Sequence, residues 1–254
     1  LVIYIATPAL AVKVIDEDFN QPAPSFSFNG HATQELEKGV VLLTEAIGGQ
    51  TGSFFFNMPF NVSVFRARFD FWIGGGNPND NGAGLTFAVL DAAVSGPASL
   101  GNGGPAGMGY EGLSGFAIEF DTWNDGQIDQ DSENHVGVDI DGSIASIFIN
   151  SSFIPELEDS PGIFNVIIPF QNGNIKVFLR NRQIRYPWTK VVDFTIPDFV
   201  PYRGYFGFTA STGGITNIHQ IDNFSLDIFR GTPSAPAKNP ASLATTWGNL
   251  KKSQ

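Results

Sequence analysis

The 254-residue chain contains no cysteine, so neither a disulfide framework nor a thiolate metal site is open to it. Basic residues are scarce: 14 Lys and Arg stand against 25 Asp and Glu, for a formal net charge of −11. Nucleic acid binding needs many Lys and Arg to neutralise phosphates, and this acidic balance opposes it, so no nucleic acid partner is expected. No run is long and apolar enough to cross a bilayer, since a spanning helix needs about 20 apolar residues, so no membrane insertion is expected. Extended stretches of helical period are missing as well. So is the Gly-x-Ser-x-Gly elbow of a nucleophilic hydrolase.

What the chain does have is 24 Phe, 29 Gly and 16 Pro, the mark of many short strands joined by turns. Val62 to Phe71 alternates cleanly, with Phe65, Ala67, Phe69 and Phe71 on one face and Val64, Arg66, Arg68 and Asp70 on the other. Further strands are read at Val40 to Thr44, Leu85 to Leu90, Phe164 to Ile168, Ile175 to Leu179, Tyr205 to Thr209 and Phe224 to Ile228. The expected class is all-β, with two antiparallel sheets packed on their Phe-rich sides around one core. The long Gly-rich connections 74–82 and 95–115 are candidate binding loops. At the start, Leu1 to Ala11 is apolar and ends in Ala9-Leu10-Ala11, which reads as the remnant of a secretory signal with a small-x-small cleavage site. The organisation expected is therefore a signal remnant over 1–11, one domain over 12–230, and a Pro/Ala/Ser-rich linker with a short basic tail over 231–254. A secreted or cell-surface location follows from that reading.

Between apolar strands the chain gathers metal-type ligands. At period two, Phe116, Ile118 and Phe120 face one way while Glu119 and Asp121 face the other together. A second strand, with Val136, Val138 and Ile140 alternating against His135, Gly137 and Asp139, returns after an acidic loop carrying Asp125, Asp129, Asp131 and Glu133. Crowded oxygen ligands suit Ca2+, whereas an imidazole with carboxylates suits Mn2+, Zn2+ or a similar ion. The triplet Glu119-Phe120-Asp121 also opens the Glu-x-Asp-x-x-Glu pattern of laminarinase-type glycoside hydrolases. The sixth position here is Asn124, an amide that cannot act as the acid/base.

Several segments occur together in a telling order: Gly52-Ser53-Phe54-Phe55, the strand Val62 to Phe71, Gly82 to Leu90, Gly107-Met108-Gly109-Tyr110, Phe116 to Trp123, Asn134 to Ile140, and Gly207 to Gly214 followed by Ile218-His219-Gln220-Ile221. From Asp16 to Phe229 the chain resembles an L-type, legume-lectin-like carbohydrate-binding domain of the concanavalin A-like superfamily, in particular its bacterial branch. The resemblance implies a jelly-roll sandwich with a curved front sheet, Ca2+ plus Mn2+ or another transition ion, and a shallow sugar site beside the Ca2+.

By position in that resemblance, Glu119, Asp121 and His135 match the transition-metal ligands, with Asp121 shared between the ions. Trp123 would offer its backbone carbonyl to Ca2+, and Asn124 or Asp125 a side chain. The last shared acid falls to Asp129 or Asp131, of which Asp131 is preferred. His219 is read as structural. For the sugar, Ala83 stands at the position where family members carry a hydroxyl-binding Asp, Asn124 or Asp125 at that of the family's Asn, and Gly213 and Gly214 match the short loop that frames the site; Asp80 and Asn81 in the same loop as Ala83, Asn102 and Gly104 in the next, and the Trp123 ring are the neighbours that could compensate for the missing Asp. The expectation is metal-dependent glycan binding without catalysis, with a homodimer allowed. The alternative is an adhesion or structural module of the same fold that has lost sugar binding, and a laminarinase-type hydrolase ranks below both.

Overall fold

A computed structural model describes residues 10–76, 82–104 and 106–230. The described strands are β1 Leu10–Glu17, β2 Phe26–Gly30, β3 Thr33–Glu35, β4 Val40–Thr44, β5 Thr51–Phe56, β6 Phe60–Asn61, β7 Val64–Gly74 and β8 Leu85–Asp91. They continue with β9 Gly115–Asp121, β10 His135–Ile140, β11 Phe148–Asn150, β12 Phe164–Gln171, β13 Asn174–Asn181, β14 Tyr186–Thr195, β15 Arg203–Ser211 and β16 Ile218–Arg230. A single short 3-10 turn, Gly126–Asp129, lies among them. No helix among the described residues is long and apolar enough to cross a membrane.

Two antiparallel sheets result. The back sheet runs β14-β13-β12-β7-β16-β4-β3 with β1 added alongside β16, and the front sheet runs β11-β10-β9-β8-β15-β5-β2 with β6 beside β15. β16 is long enough to pair with β4 through His219, Gln220 and Ile221 and with β1 through Phe224 to Arg230. Leu10 and Ala11, read from the sequence as the end of a cleavage site, are the first residues of β1 and pair with Arg230 and Phe229. Residues 1–9 and 231–254 lie outside the described residues.

The alternation seen in the sequence becomes the core. Phe65, Phe69, Phe71, Phe164 and Phe170 point inward from the back sheet and meet Phe54, Phe87, Phe116, Phe120 and Phe208 from the front sheet, all buried. Phe69 meets Phe208 edge-on with ring centroids 4.8 Å apart, and Phe116 stacks on Phe170 at 5.2 Å, both within the range of favourable aromatic pairs. The front sheet is also covered on its outer face, where Phe55, Ala88, Leu90, Tyr110 and Ala117 form a second buried cluster. The connection over 92–114 supplies that cover and is fixed to the sheet by Thr209 Oγ1 donating to the Met108 carbonyl at 2.7 Å and Ser53 Oγ donating to that of Ser99 at 2.7 Å. Burial on both faces explains why β8 and β9 read as near-continuous apolar runs.

This topology brings the loops of interest to one end. Along the front sheet, the start of β10, the end of β9, the start of β8, the end of β15 and the start of β5 are consecutive neighbours. With about 4.8 Å between strands, a site on these termini spans some 10–20 Å.

Candidate functional site

His135 pairs with Asp121 across the β9–β10 ladder, and Gly137 with Glu119. Cross-strand partners share a face, so the imidazole and both carboxylates are directed to the side away from the Phe core. Their ligand atoms all lie within 4.8 Å of one another, and all three residues are buried. His135 Nε2 stands 3.1 Å from Glu119 Oε1 and 3.9 Å from Asp121 Oδ2. The other ring nitrogen, Nδ1, is buried without a hydrogen-bond partner, so the ring is aimed by Nε2 alone.

A supporting layer surrounds the trio. Ser146 Oγ donates to Glu119 Oε1 and lies 2.6 Å from Asp139 Oδ1. Gly137 leaves the space that the Glu119 carboxylate occupies, because a Cβ there would sit 2.6 Å from Ser146 Oγ and closer still to Glu119. The sequence shows Asp139 in phase with His135, but nothing local places Ser146, which arrives from the β10–β11 connection.

Burial pushes the Glu119 carboxyl up to about 7 and those of Asp121 and Asp139 well above the usual carboxylate range, with neighbouring Glu119 adding repulsion to both Asp121 and Asp139. Buried, mutually repelling carboxylates beside one imidazole form a donor set that a divalent cation satisfies. The chemistry of the set, mixed nitrogen and oxygen, fits a transition ion.

Beyond Asp121 the chain turns sharply. The Trp123 amide donates to Asp121 Oδ1 at 2.7 Å, and the Asp125 amide donates to Asp129 Oδ2. Gln130 and Asp131 both adopt left-handed backbone angles, φ 54° and 59°. This bend keeps Asp129 buried at 4% exposure while Asp131 is exposed. Of the two acids expected for the shared position, Asp129 is the one turned inward, where it repels Glu119, Asp121 and Asp125. Asn124 is exposed, and its Oδ1 accepts from the Gly126 amide at 2.7 Å, whereas half-buried Asp125 shares the field of Asp129. Between these two candidates the structure places Asp125, not Asn124, with the other oxygen donors. Trp123 is half-buried beside them.

The expected sugar residues that the structure describes are distributed along the same end. Ala83 is buried, and its carbonyl accepts from Thr122 Oγ1 at 2.8 Å and from His219 Nε2 at 2.9 Å. Because a carbonyl only accepts, His219 carries its proton on Nε2, and Nδ1 takes the Thr44 hydroxyl at 2.6 Å. Desolvation lowers His219 to about 4, which keeps it neutral and in the structural role expected of it. The Gly104 carbonyl accepts from Ser211 Oγ at 2.6 Å, and that of Gly213 from the Gly49 amide at 3.3 Å. Asn102 is exposed and bridges to Glu111, and Gly214 is exposed. Asp80 and Asn81 lie outside the described residues.

Two carboxylates that the sequence reading did not single out grip the ends of the 75–82 connection: Asp159 Oδ1 accepts the Gly75 amide at 2.8 Å and Glu158 Oε2 that of Gly82 at 3.1 Å.

The family model described as Legume lectin domain matches residues 16–242. The L-type lectin-domain containing receptor kinase VIII.1 of Arabidopsis thaliana is 31% identical over 213 residues, covering 74% of this chain and 27% of that protein. Receptor kinase VII.1 of the same plant is 24% identical, covering 97% of this chain and 40% of its own length, so the chain spans well under half of these relatives. Among solved structures, basic winged bean lectin with Tn-antigen superposes with a TM-score of 0.71 at 21% identity, over 87% of this chain and 99% of that one. The exoplasmic/lumenal domain of VIP36 in its Ca2+/Man-bound form gives 0.64 at 18%, over 85% and 88%. Those two likenesses establish the shared sandwich fold. The relatives compared do not point to the expected bacterial branch.

Proposed function

Because the chain belongs to the legume lectin domain family, we propose that it binds glycans reversibly at a loop-built site organised by Ca2+ and a transition ion. The observation that carries this reading is the buried Glu119, Asp121 and His135 trio with Asp129 and Asp125 next to it. Glu119, Asp121 and His135 would hold the transition ion, and Asp121, Asp125, Asp129 and the Trp123 carbonyl the Ca2+. Bound cations would offset the carboxylate repulsion and fix the turn from Trp123 to Asp129. The chain's own part is to hold its loops so that the Trp123 ring, Asn102 and the backbone of Gly104 and Gly213 meet sugar hydroxyls already in place, which lowers the ordering cost of binding.

Recognition without catalysis is supported by burial. Glu119 is 3% exposed and is engaged by Ser146 and His135, so it is closed to a polysaccharide chain, and Asn124 offers no second carboxyl. Extracellular or cell-surface placement is supported by the relatives, two of which are receptor kinases by name and one an exoplasmic/lumenal domain. A homodimer is compatible with the exposed outer face of the back sheet.

Ala83 favours the second reading, a module that keeps the fold and the ions but not the sugar. A methyl group accepts no hydrogen bond, and losing one such anchor costs about 1–3 kcal/mol, a large part of the few kcal/mol that hold a sugar at millimolar to micromolar affinity. A glycan array probed with Ca2+ and Mn2+, then after chelation, separates the two. Chelator-sensitive glycan signals establish the lectin, and a silent array with both ions bound by elemental analysis leaves the adhesion module.

A further inference from the structure

The chain is acidic overall, yet five of its 14 basic residues fall on the β13–β14 hairpin. That hairpin closes the edge of the back sheet, the sheet that does not carry the metal-type cluster. Where it meets the segment leading into β12 there is an open cleft of about 350 Å³ lined by Gly162, Ile163, Asn165, Arg180, Arg182 and Gln183. No carboxylate lines it.

Arg180 is held in place. Its Nε and Nη2 donate to Asn165 Oδ1 at 3.1 and 2.8 Å, and its guanidinium lies 4.4 Å from the centre of the Trp188 ring. Asn165 is itself fixed through Nδ2 donating to Asp70 Oδ1 at 2.6 Å. Of the five N–H groups of Arg180, those not turned to Asn165 remain for a ligand. Arg182 is exposed and makes no ion pair among the described residues. Gly162, at φ +82°, lets Gln183 close over the backbone, because a Cβ there would come within 2.7 Å of Gln183 Cβ and Oε1. A guanidinium stacked on an aromatic and pinned by an amide is pre-ordered, so little entropy is lost when it forks onto an oxyanion.

We propose that this cleft is a second binding site, independent of the metals, for the oxyanion group of an acidic saccharide: a uronate carboxylate or a sulfate ester. Arg180 and Arg182 engage the oxygens, Gln183 and Asn165 offer amides to neighbouring hydroxyls, and Trp188, 41% exposed, borders the sugar ring. The saccharide part rests on the lectin reading, whereas oxyanion capture does not. The chain's net negative charge does not forbid it: Asp70, behind Asn165, is the near carboxylate and faces two guanidinium groups, while at physiological salt charges more than about 8 Å away are largely screened.

The test is calorimetric titration of the full chain, dialysed free of metal, with an oligogalacturonide, its methyl-esterified counterpart, a sulfated oligosaccharide and inorganic sulfate. Binding of the oligogalacturonide or the sulfated sugar, no binding of the methyl ester, and weakening at 0.5 M salt on the order of tenfold or more are expected. Arg182→Gln and Arg180→Lys should each lower affinity about tenfold, and Arg182→Gln, at an exposed position, should leave thermal stability unchanged. Repeating the Arg182→Gln comparison on metal-loaded protein covers the case in which the metal-free chain unfolds. No binding of any acidic saccharide at millimolar concentration, or affinity unchanged in both variants, overturns the proposal. Equal affinity for inorganic sulfate and the acidic sugars overturns the saccharide part. A glycan array silent for neutral glycans with both ions bound, beside an intact acidic-saccharide titration, overturns the lectin reading and supports this site.

Discussion

Gly137 shows how much the metal-type cluster asks of single residues. A methyl group at this position would collide with the Glu119 carboxylate and Ser146 Oγ. Gly137→Ala should therefore weaken transition-metal binding at least tenfold and, as overpacking does, cost about 1–3 kcal/mol of stability, measured by metal titration and denaturant unfolding. The acids separate in the same way. Asp121→Ala should remove both ions and any glycan binding together. Asp129→Ala should abolish Ca2+ binding while Asp131→Ala leaves it within about threefold, because Asp129 is buried beside the cluster and Asp131 is exposed; equal losses in the two variants would undo this assignment. The trio of Glu119, Asp121 and His135 was legible in the sequence because strand period alone puts the two acids on one face. The choice between Asp129 and Asp131 was not, since it depends on left-handed turns at Gln130 and Asp131 that the residue types do not announce.

Among the elements, the segment between β11 and β12 has a role that its sequence conceals. Glu158 bridges to Ile73 at the end of β7, and with Asp159 it anchors the connection that delivers Ala83. Burial pushes Glu158 up to about 7 from its ordinary 4.5. A raised folded-state value means that the favourable contribution is complete below the unfolded value and is lost as pH rises through about 7. Between about pH 5 and pH 8, wild type should lose melting temperature relative to Glu158→Gln, and a difference constant with pH would refute the linkage. Strand legibility followed burial. β7 alternates in the sequence because one face is core and the other is wet, while β4 was found from its apolar residues alone. β14 was missed: it is an edge strand with Pro187 and register shifts against β13, so its polar and apolar positions do not keep step.

For the whole molecule, ligand linkage sets the scale. A cation at 100 times its dissociation constant stabilises the folded state by about 2.7 kcal/mol, and for a domain of 150–250 residues each kcal/mol moves the melting point by about 2–4 °C. Chelation should thus lower the melting temperature by about 5–10 °C in scanning calorimetry, and no shift would argue against resident metal. The all-β class, the Phe-lined inner faces and the shared face of Glu119 and Asp121 follow from residue order alone, because side-chain alternation is a property of the extended backbone wherever it lies. The register that sets His135 opposite Asp121, the loop acid that turns inward, the buttressing of Glu119 by Ser146 and Asp139, the cover on both faces of the front sheet, and the convergence of Arg180, Arg182 and Asn165 in one cleft are products of the folded arrangement. Those outcomes depend on which distant segments pair and on how turns aim their side chains, and neither is set by the residues next to them in the chain.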